Sequence, residues 1–131
     1  MKSMEIMKGV ESDLASQVIG SAIEVHRHLG PGLLESAYES CLCREFAIKG
    51  IPFTRQVPLK IQYKGELVDC VYRMDIIVGG ALLLELKSME SVLPIHQAQI
   101  ISYLKLSGLK QGLLINFNVR ILKEGIKSFL N

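Results

Sequence analysis

Arg73-Met74-Asp75-Ile76-Ile77-Val78-Gly79-Gly80-Ala81-Leu82-Leu83-Leu84-Glu85-Leu86-Lys87 reads as two apolar strands joined at a glycine turn and interrupted by Asp75, Glu85 and Lys87. Charges are rarely buried unless they are paired or bound to metal, so their place inside so apolar a hairpin asks for a reason. Strand side chains alternate between faces, which puts Glu85 and Lys87 on one face and Leu84 and Leu86 on the other. A two-residue Gly79-Gly80 turn pairs Val78 with Ala81, sets Asp75 opposite Leu84 and splits the carboxylates between faces. A three-residue loop, Gly79-Gly80-Ala81, pairs Val78 with Leu82, Ile76 with Leu84 and Met74 with Leu86, and sets Asp75 across from Glu85. Only the second register separates apolar from charged positions, and three-residue loops containing glycine are common. The reading is therefore an odd-length loop or a bulge, with two carboxylates and a lysine on one sheet face. Such a set can hold Mg²⁺ and a water beside a phosphate. The plainer alternative is a surface hairpin with an ordinary Glu-Lys edge, but strands this apolar read as buried.

The chain has 131 residues, enough for one domain with a real core, and 49% of them are hydrophobic, which excludes a disordered chain. The longest apolar runs are too short to span a bilayer, and Met1–Lys8 lacks the apolar centre of a signal peptide. Cys41, Cys43 and Cys70 are odd in number and form no disulfide framework, which suits a reducing, cytoplasmic setting. His26 and His28 lie two apart on an expected helix and point to different faces, which argues against zinc. A net charge of +2 does not by itself announce a nucleic-acid binder. Its distribution is uneven: residues 1–48 carry four Lys/Arg against seven Asp/Glu, whereas Lys105, Lys110, Arg120, Lys123 and Lys127 face only Glu124 near the C-terminus. That basic surface either meets phosphates or is a solvated face.

Working outward, Asp13 is a candidate N-cap. Leu14, Val18, Ala22, Val25 and Leu29 recur at helical spacing until Gly30-Pro31 stops the helix. A second helix opens near Gly32 with the stripe Leu34, Ala37, Tyr38, Cys41, Leu42 and Phe46, and closes at Gly50 and Pro52. A strand then runs from Phe53 to Tyr63, with Pro58 marking an edge or a bulge. A Lys64-Gly65 turn pairs Tyr63 with Glu66, Ile61 with Val68 and Leu59 with Cys70, and leads into a strand expected to run from Glu66 to Val78. Strand 81–87 completes a meander. Pro94 begins a helix to Leu106, Leu113–Phe117 is a buried strand, and a short helix is expected over Glu124–Leu130. The order α-α-β-β-β-α-β defines an α/β fold with a mixed sheet and no linker or repeat.

Gln99 and Tyr103 lie four apart and share a face of the helix after the charged hairpin. They read either as a pair that positions a phosphate backbone or as a solvated amide and a core phenol. Glu35 is either a first-turn carboxylate favoured by the helix dipole or a third acid near the metal. Glu39 reads as solvated or ion-paired, and His96 and Gln97 as candidate substrate contacts.

Gly32-Leu33-Leu34-Glu35-Ser36-Ala37-Tyr38 resembles the signature that names the GxxExxY family. The resemblance continues through Tyr63-Lys64-Gly65, Tyr72–Asp75, Glu85-Leu86-Lys87, Gln99 and Tyr103, and Gly112–Phe117. That family looks like a compact branch of the PD-(D/E)xK nucleases. The resemblance implies a restriction-endonuclease-like α-β-β-β-α-β core and metal-dependent phosphodiester cleavage. It maps the motif onto Asp75, Glu85 and Lys87, with Glu35 as the first-helix carboxylate, and Gln99 and Tyr103 look like the QxxxY element of RecB-like nucleases. Met74 stands where the superfamily's name has proline, a position that varies among its members. The implied chemistry has Asp75, Glu85, Glu35 and the Leu86 carbonyl holding Mg²⁺ or Mn²⁺, Lys87 acting on the water, and Gln99 and Tyr103 positioning a nucleic-acid strand. The competing reading is a binding or accessory module that keeps the fold without cleaving by itself. It draws on the absence of tryptophan and of a basic aromatic platform. In a third reading a homodimer or a protein partner supplies the missing substrate surface through the Pro58-bearing meander.

Overall fold

The computed structural model describes residues 13–68 and 72–131, together with the backbone of Lys2–Met4. Helix α1 (Asp13–Leu29) and helix α2 (Glu35–Lys49) form an antiparallel pair. A central sheet is built from β1 (Lys2–Met4), β2 (Phe53–Pro58), β5 (Arg73–Val78), β6 (Leu82–Lys87), β7 (Gln111–Asn116) and β8 (Ile126–Leu130), in the spatial order β1-β8-β7-β6-β5-β2. A small separate hairpin pairs β3 (Ile61–Tyr63) with β4 (Glu66–Val68), and helix α3 (Pro94–Ser107) crosses from β6 to β7. Because α3 makes that crossover, β6 and β7 run parallel; every other neighbouring pair in the main sheet is antiparallel. The α/β class and the mixed sheet match the sequence reading. No helix among the described residues is long and apolar enough to cross a membrane.

The sheet is covered on both faces, and each face has its own core. On one side Val18, Ala22, Tyr38, Leu42 and Phe46 of α1 and α2 pack on Ile76, Leu84, Leu86, Leu113 and Ile115. On the other, Ile100, Tyr103 and Leu104 of α3 pack on Leu83, Leu114 and Phe129. This explains the unbroken apolar run of β6: Leu84 serves one core and Leu83 the other, and Leu82–Leu86 are all buried. Gly79 and Gly80 adopt φ values of 59° and 67°, a left-handed pair that non-glycine residues resist, and the loop they form is three residues long. Val78 pairs with Leu82, Ile77 with Leu83 and Ile76 with Leu84, the register expected from the segregation of charge.

Four expectations need correction. The strands expected over 53–63 and 66–78 are each two strands in different sheets. The Lys64-Gly65 turn pairs Tyr63 with Glu66 and Ile61 with Val68 as expected, and that register, if continued, would set Phe53 opposite Ile76. The main sheet sets Phe53 opposite Val78, two residues on. A slip of two preserves which side chains share a face, so alternation alone could not reveal it. The expected Leu59–Cys70 pair and the reading of the Met1–Lys8 stretch lie outside the described residues. Second, the helix expected over 124–130 is a short 3₁₀ turn, Leu122–Gly125, followed by β8. Pairing to β7 holds this segment extended, with Ile126, Ser128 and Phe129 buried and Lys127 exposed. Third, α2 opens at Glu35 rather than Gly32, because Gly32 has a φ of 100° and Leu34 is still extended. The fourth, the position of Met74, belongs to the site described below. Pro58 does lie on an edge strand, β2.

Gly125 sits against the end of β7, where a β-carbon would overlap the Asn116 carbonyl oxygen and press on Val119. Gly125→Ala must therefore displace backbone, and a loss of about 1–3 kcal/mol is expected in urea unfolding. An unchanged midpoint would show that the turn yields without cost.

Candidate active site

At Asp75 and Glu85 the ladder between β5 and β6 changes character. Beyond Ile76↔Leu84, the backbone N–H of Asp75 donates to Glu85 Oε2 at 2.9 Å, and the backbone N–H of Leu86 donates to Asp75 Oδ2 at 2.8 Å. Each carboxylate thus takes the place of a strand carbonyl, and the two interlock across the opening. The expected face-to-face Met74–Leu86 pair is not formed. Leu86 packs under α1 and α2, whereas Met74 joins Leu59 and Leu83 on the α3 side. Side chains that intercept the ladder's N–H groups end its regular alternation.

In a strand a residue's N–H and C=O leave by the same edge. The Leu86 N–H points toward β5, so its carbonyl opens to the same gap, while the Lys87 carbonyl turns toward β7 and accepts from the Phe117 N–H at 2.9 Å. The gap is therefore lined by oxygen: two carboxylates, each with one oxygen committed to an N–H, and one main-chain carbonyl. Among the described residues no three His, Cys, Asp or Glu side chains gather into a cage. The oxygen set nevertheless fits a hard divalent cation, which takes carboxylates, carbonyls and waters together.

The electrostatics favour the same fit. Glu85 is only 4% exposed, and burial, then the charge of Asp75, pushes its pKa up to about 8. Burial also raises the pKa of Asp75, with the charge of Glu39 adding to it. Lys87 is half-buried and favours the charged form of both acids, but forms no ion pair among the described residues. The two acids thus sit close together in low dielectric with too little positive charge nearby, and near neutral pH they tend to share a proton. A bound cation would displace it.

The Gly32-x-x-Glu35-x-x-Tyr38 spacing has a structural cause. Tyr38 is fully buried and stacked on Phe117 at 4.4 Å. Its hydroxyl donates to the Gly30 carbonyl at 2.6 Å and accepts from the Leu33 N–H at 3.1 Å, stapling the loop that delivers Glu35. The Leu33 carbonyl in turn accepts from Ser88 Oγ at 2.5 Å, tying the loop to the residue after Lys87. Glu35 itself is exposed; its charge raises the pKa of both acids, so it lies within electrostatic reach of the pair without touching it. Beyond Lys87, Asn116 grips Met89 through both its N–H, at 3.1 Å, and its carbonyl, at 2.9 Å.

Glu39 is ion-paired, one of the two readings the sequence allowed. It is 8% exposed, bonds Arg55 at 2.9 Å and accepts from Gln56 Nε2 at 2.9 Å. The sequence did not single out Arg55 or Gln56. Gln56 holds a left-handed φ of 50° within β2, on the flank of Asp75. The visible signal was two long polar residues in succession, a break in strand alternation without an evident meaning. On the other face Gln99 Nε2 donates to the Tyr103 hydroxyl at 3.0 Å. Tyr103 is buried, and its pKa is raised by burial and then by the charge of Glu85. His96 caps α3, its Nδ1 accepting from the Leu93 N–H at 2.9 Å, and Gln97 meets Lys127 at 3.5 Å. His26 bonds the Val119 carbonyl at 2.7 Å while His28 is exposed, so the two do not converge on a metal. Burial pushes the Cys43 thiol up to about 11, which removes it as a nucleophile at neutral pH.

A mixed sheet between helices is opened at two interlocked carboxylates with a lysine two residues on, a set that could hold a divalent cation beside a phosphate. The family model of the PD-(D/E)XK nuclease superfamily matches residues 12–129, and the chain belongs to that superfamily. No curated protein and no solved structure matches it.

Because the folded protein holds the Glu85 proton up to about pH 8 and the unfolded chain releases it near 4.5, folding binds protons between those values. Stability should therefore fall as pH rises through that window. Glu85→Gln can still accept from the Asp75 N–H without the charge, and its melting temperature should fall less between pH 5 and 8.5. Mn²⁺ at pH 8 should raise the melting temperature of the wild type more than that of the variant. Parallel pH profiles in calorimetry would show that Glu85 is not the strained acid.

Proposed function

We propose that the chain is a divalent-metal-dependent nuclease whose centre is Asp75, Glu85, Lys87 and the Leu86 carbonyl. The observation that carries this reading is the interlocked acid pair, Glu85 buried and Asp75 half-buried, with little positive charge nearby; strand geometry directs the Leu86 carbonyl to the same edge. Asp75, Glu85 and Leu86 would hold Mg²⁺ or Mn²⁺, and Glu35, presented by its stapled loop, would reach the ion through water. The ion would supply an activated water and charge stabilisation at the phosphate.

In this reading each residue has a separate task. Lys87, free of an ion pair among the described residues, orients the attacking water and offsets the charge that builds on the phosphate oxygens. Proton sharing between Asp75 and Glu85 is lost when the site is loaded, which fixes both as acceptors. Gln99 and Tyr103, already bonded to one another, position the strand from α3, on the face to which Glu85 points. The conjunction of the Gly32-x-x-Glu35-x-x-Tyr38 signature with the Gln99/Tyr103 spacing supports placing the chain in the GxxExxY branch, with a RecB-like QxxxY element.

The test is cleavage of labelled single-stranded DNA, duplex DNA and RNA in Mg²⁺ or Mn²⁺, with identically purified Asp75→Ala and Lys87→Ala beside the wild type. Rate losses of about 100-fold or more are expected in both variants. Equal rates in all three would trace the cleavage to a contaminant. Cation binding with no cleavage of any substrate would leave an accessory module.

A further inference from the structure

A groove of about 520 Å³ runs along α3, between that helix and Leu59 and Ile61, with Tyr72 at its side; one of its walls, Tyr103, lies within the field of Glu85 and Asp75. It shares Gln99 and Tyr103 with the candidate centre. Ile95, Ala98, Ser102 and Leu106 recur at helical spacing on the α3 stripe facing it, and the small Ala98 and Ser102 leave the space open. Ile95 is 67% exposed and Tyr72 50% exposed, large apolar surface for a site so near the carboxylates.

The chemistry of the lining narrows the occupant. Among the described residues no Asp, Glu, Lys or Arg lines the groove, so these walls do not suit a phosphate. Tyr72 meets Tyr103 edge-on, with ring centroids 6.3 Å apart and planes at 60°, so the two rings are not stacked face to face. Around these apolar walls stand a few polar groups: the Ser102 hydroxyl, the Gln99 amide, and His96, whose Nδ1 is committed to the helix cap. An apolar slot with aromatic walls and a few edge-directed polar groups matches a nucleobase, which has two π faces and a hydrogen-bonding rim. Continuity with the acid pair is electrostatic as well as spatial, since the charges of Glu85 and Asp75 both act on Tyr103.

Resting on the nuclease reading, we propose that this groove receives one unpaired nucleobase next to the phosphate being cleaved, packed against Tyr72 and Tyr103. A base inside a duplex has its faces stacked and its rim paired, and cannot enter. The substrate class is therefore single-stranded or locally unpaired nucleic acid, selected by a slot rather than by a broad basic platform.

The test uses the full chain in EDTA, so that binding is read without cleavage. Single-stranded and duplex oligonucleotides of one sequence carry the fluorescent base 2-aminopurine. Wild type should change the fluorescence of the single strand and not of the duplex. Tyr72→Ala should weaken single-strand binding about ten-fold and abolish the fluorescence change, whereas Tyr72→Phe should preserve both. Ser102→Leu, which fills the groove without removing a wall, should reproduce the alanine phenotype if the exposed surface at Tyr72 is not simply needed for folding. Fluorescence changes equal in Tyr72→Ala and wild type, or equal for duplex and single strand, would overturn the proposal, as would no binding at all. So would a loss of dimer mass on gel filtration in Tyr72→Ala with base binding intact, which would make the groove a contact between copies of this chain. Tyr72-dependent binding without cleavage in Mn²⁺ would refute the nuclease reading alone; cleavage indifferent to Tyr72 and Ser102 would refute the groove alone.

Discussion

Two hydrogen bonds between β5 and β6 set the terms for the rest of this molecule. By accepting the N–H groups of Asp75 and Leu86, the carboxylates of Glu85 and Asp75 replace the main-chain acceptors a regular ladder would use. The exchange keeps the strand ends satisfied, and it holds a buried Glu85 against a half-buried Asp75. Everything around the pair serves to keep it there. The Tyr38 staple and Ser88 fix the loop above it, Asn116 fixes the loop after Lys87, and the two cores clamp β6 from both faces. An interlock made of side chains is stable only if the backbone on both sides cannot drift, and these clamps supply that rigidity.

The neighbouring charges are handled in two different ways. Glu39 is closer to solvent-accessible β2, and the structure neutralises it with Arg55 and bonds its second oxygen to Gln56. Asp75 and Glu85 receive no such partner among the described residues; their nearest cation, Lys87, remains unpaired. A fold selected for stability alone would compensate Glu85 as it does Glu39, since an unpaired buried acid is costly. The cation proposed for this site would need that deficit, and a satisfied ion pair at Asp75 would abolish it. The left-handed backbone of Gln56, held against Glu39, lies on the same flank and is the kind of local strain that a functional surrounding retains.

The register of the charged hairpin was legible in the sequence because its cost is collective: one wrong residue in the loop would move every apolar side chain to the wrong face. The same logic found the Lys64-Gly65 turn and both long helices. It failed where the signal was degenerate. The two-residue slip between the β3–β4 hairpin and the main sheet leaves facing unchanged, so alternation could not detect it. Ile126–Leu130 is too short to separate a period of two from one of 3.6, and only its position beside β7 makes it a strand. Of the site, Asp75, Glu85 and Lys87 were visible because charge inside an apolar strand is anomalous. Arg55 and Gln56 were not, because polar residues on an edge strand are ordinary; their importance comes from Glu39, sixteen and seventeen positions earlier in the chain.

Helix α3 shows why the two faces of the sheet could not be interchanged. Its inward stripe, Ile100, Tyr103 and Leu104, completes the second core, yet Tyr103 also carries its hydroxyl to Gln99 and lies within the field of Glu85. A phenol suits both demands, since its ring packs and its oxygen still needs a partner. Replacing it by phenylalanine would leave the packing and strand Gln99; replacing it by a smaller polar residue would open the core beneath the acids to water. Admitting water there would lower the pKa of Glu85, relax the competition for its proton, and weaken the electrostatic deficit on which the proposed cation capture would depend. The dryness maintained by α3 and the charge maintained by the β5–β6 interlock are thus one property of the site, held by different elements.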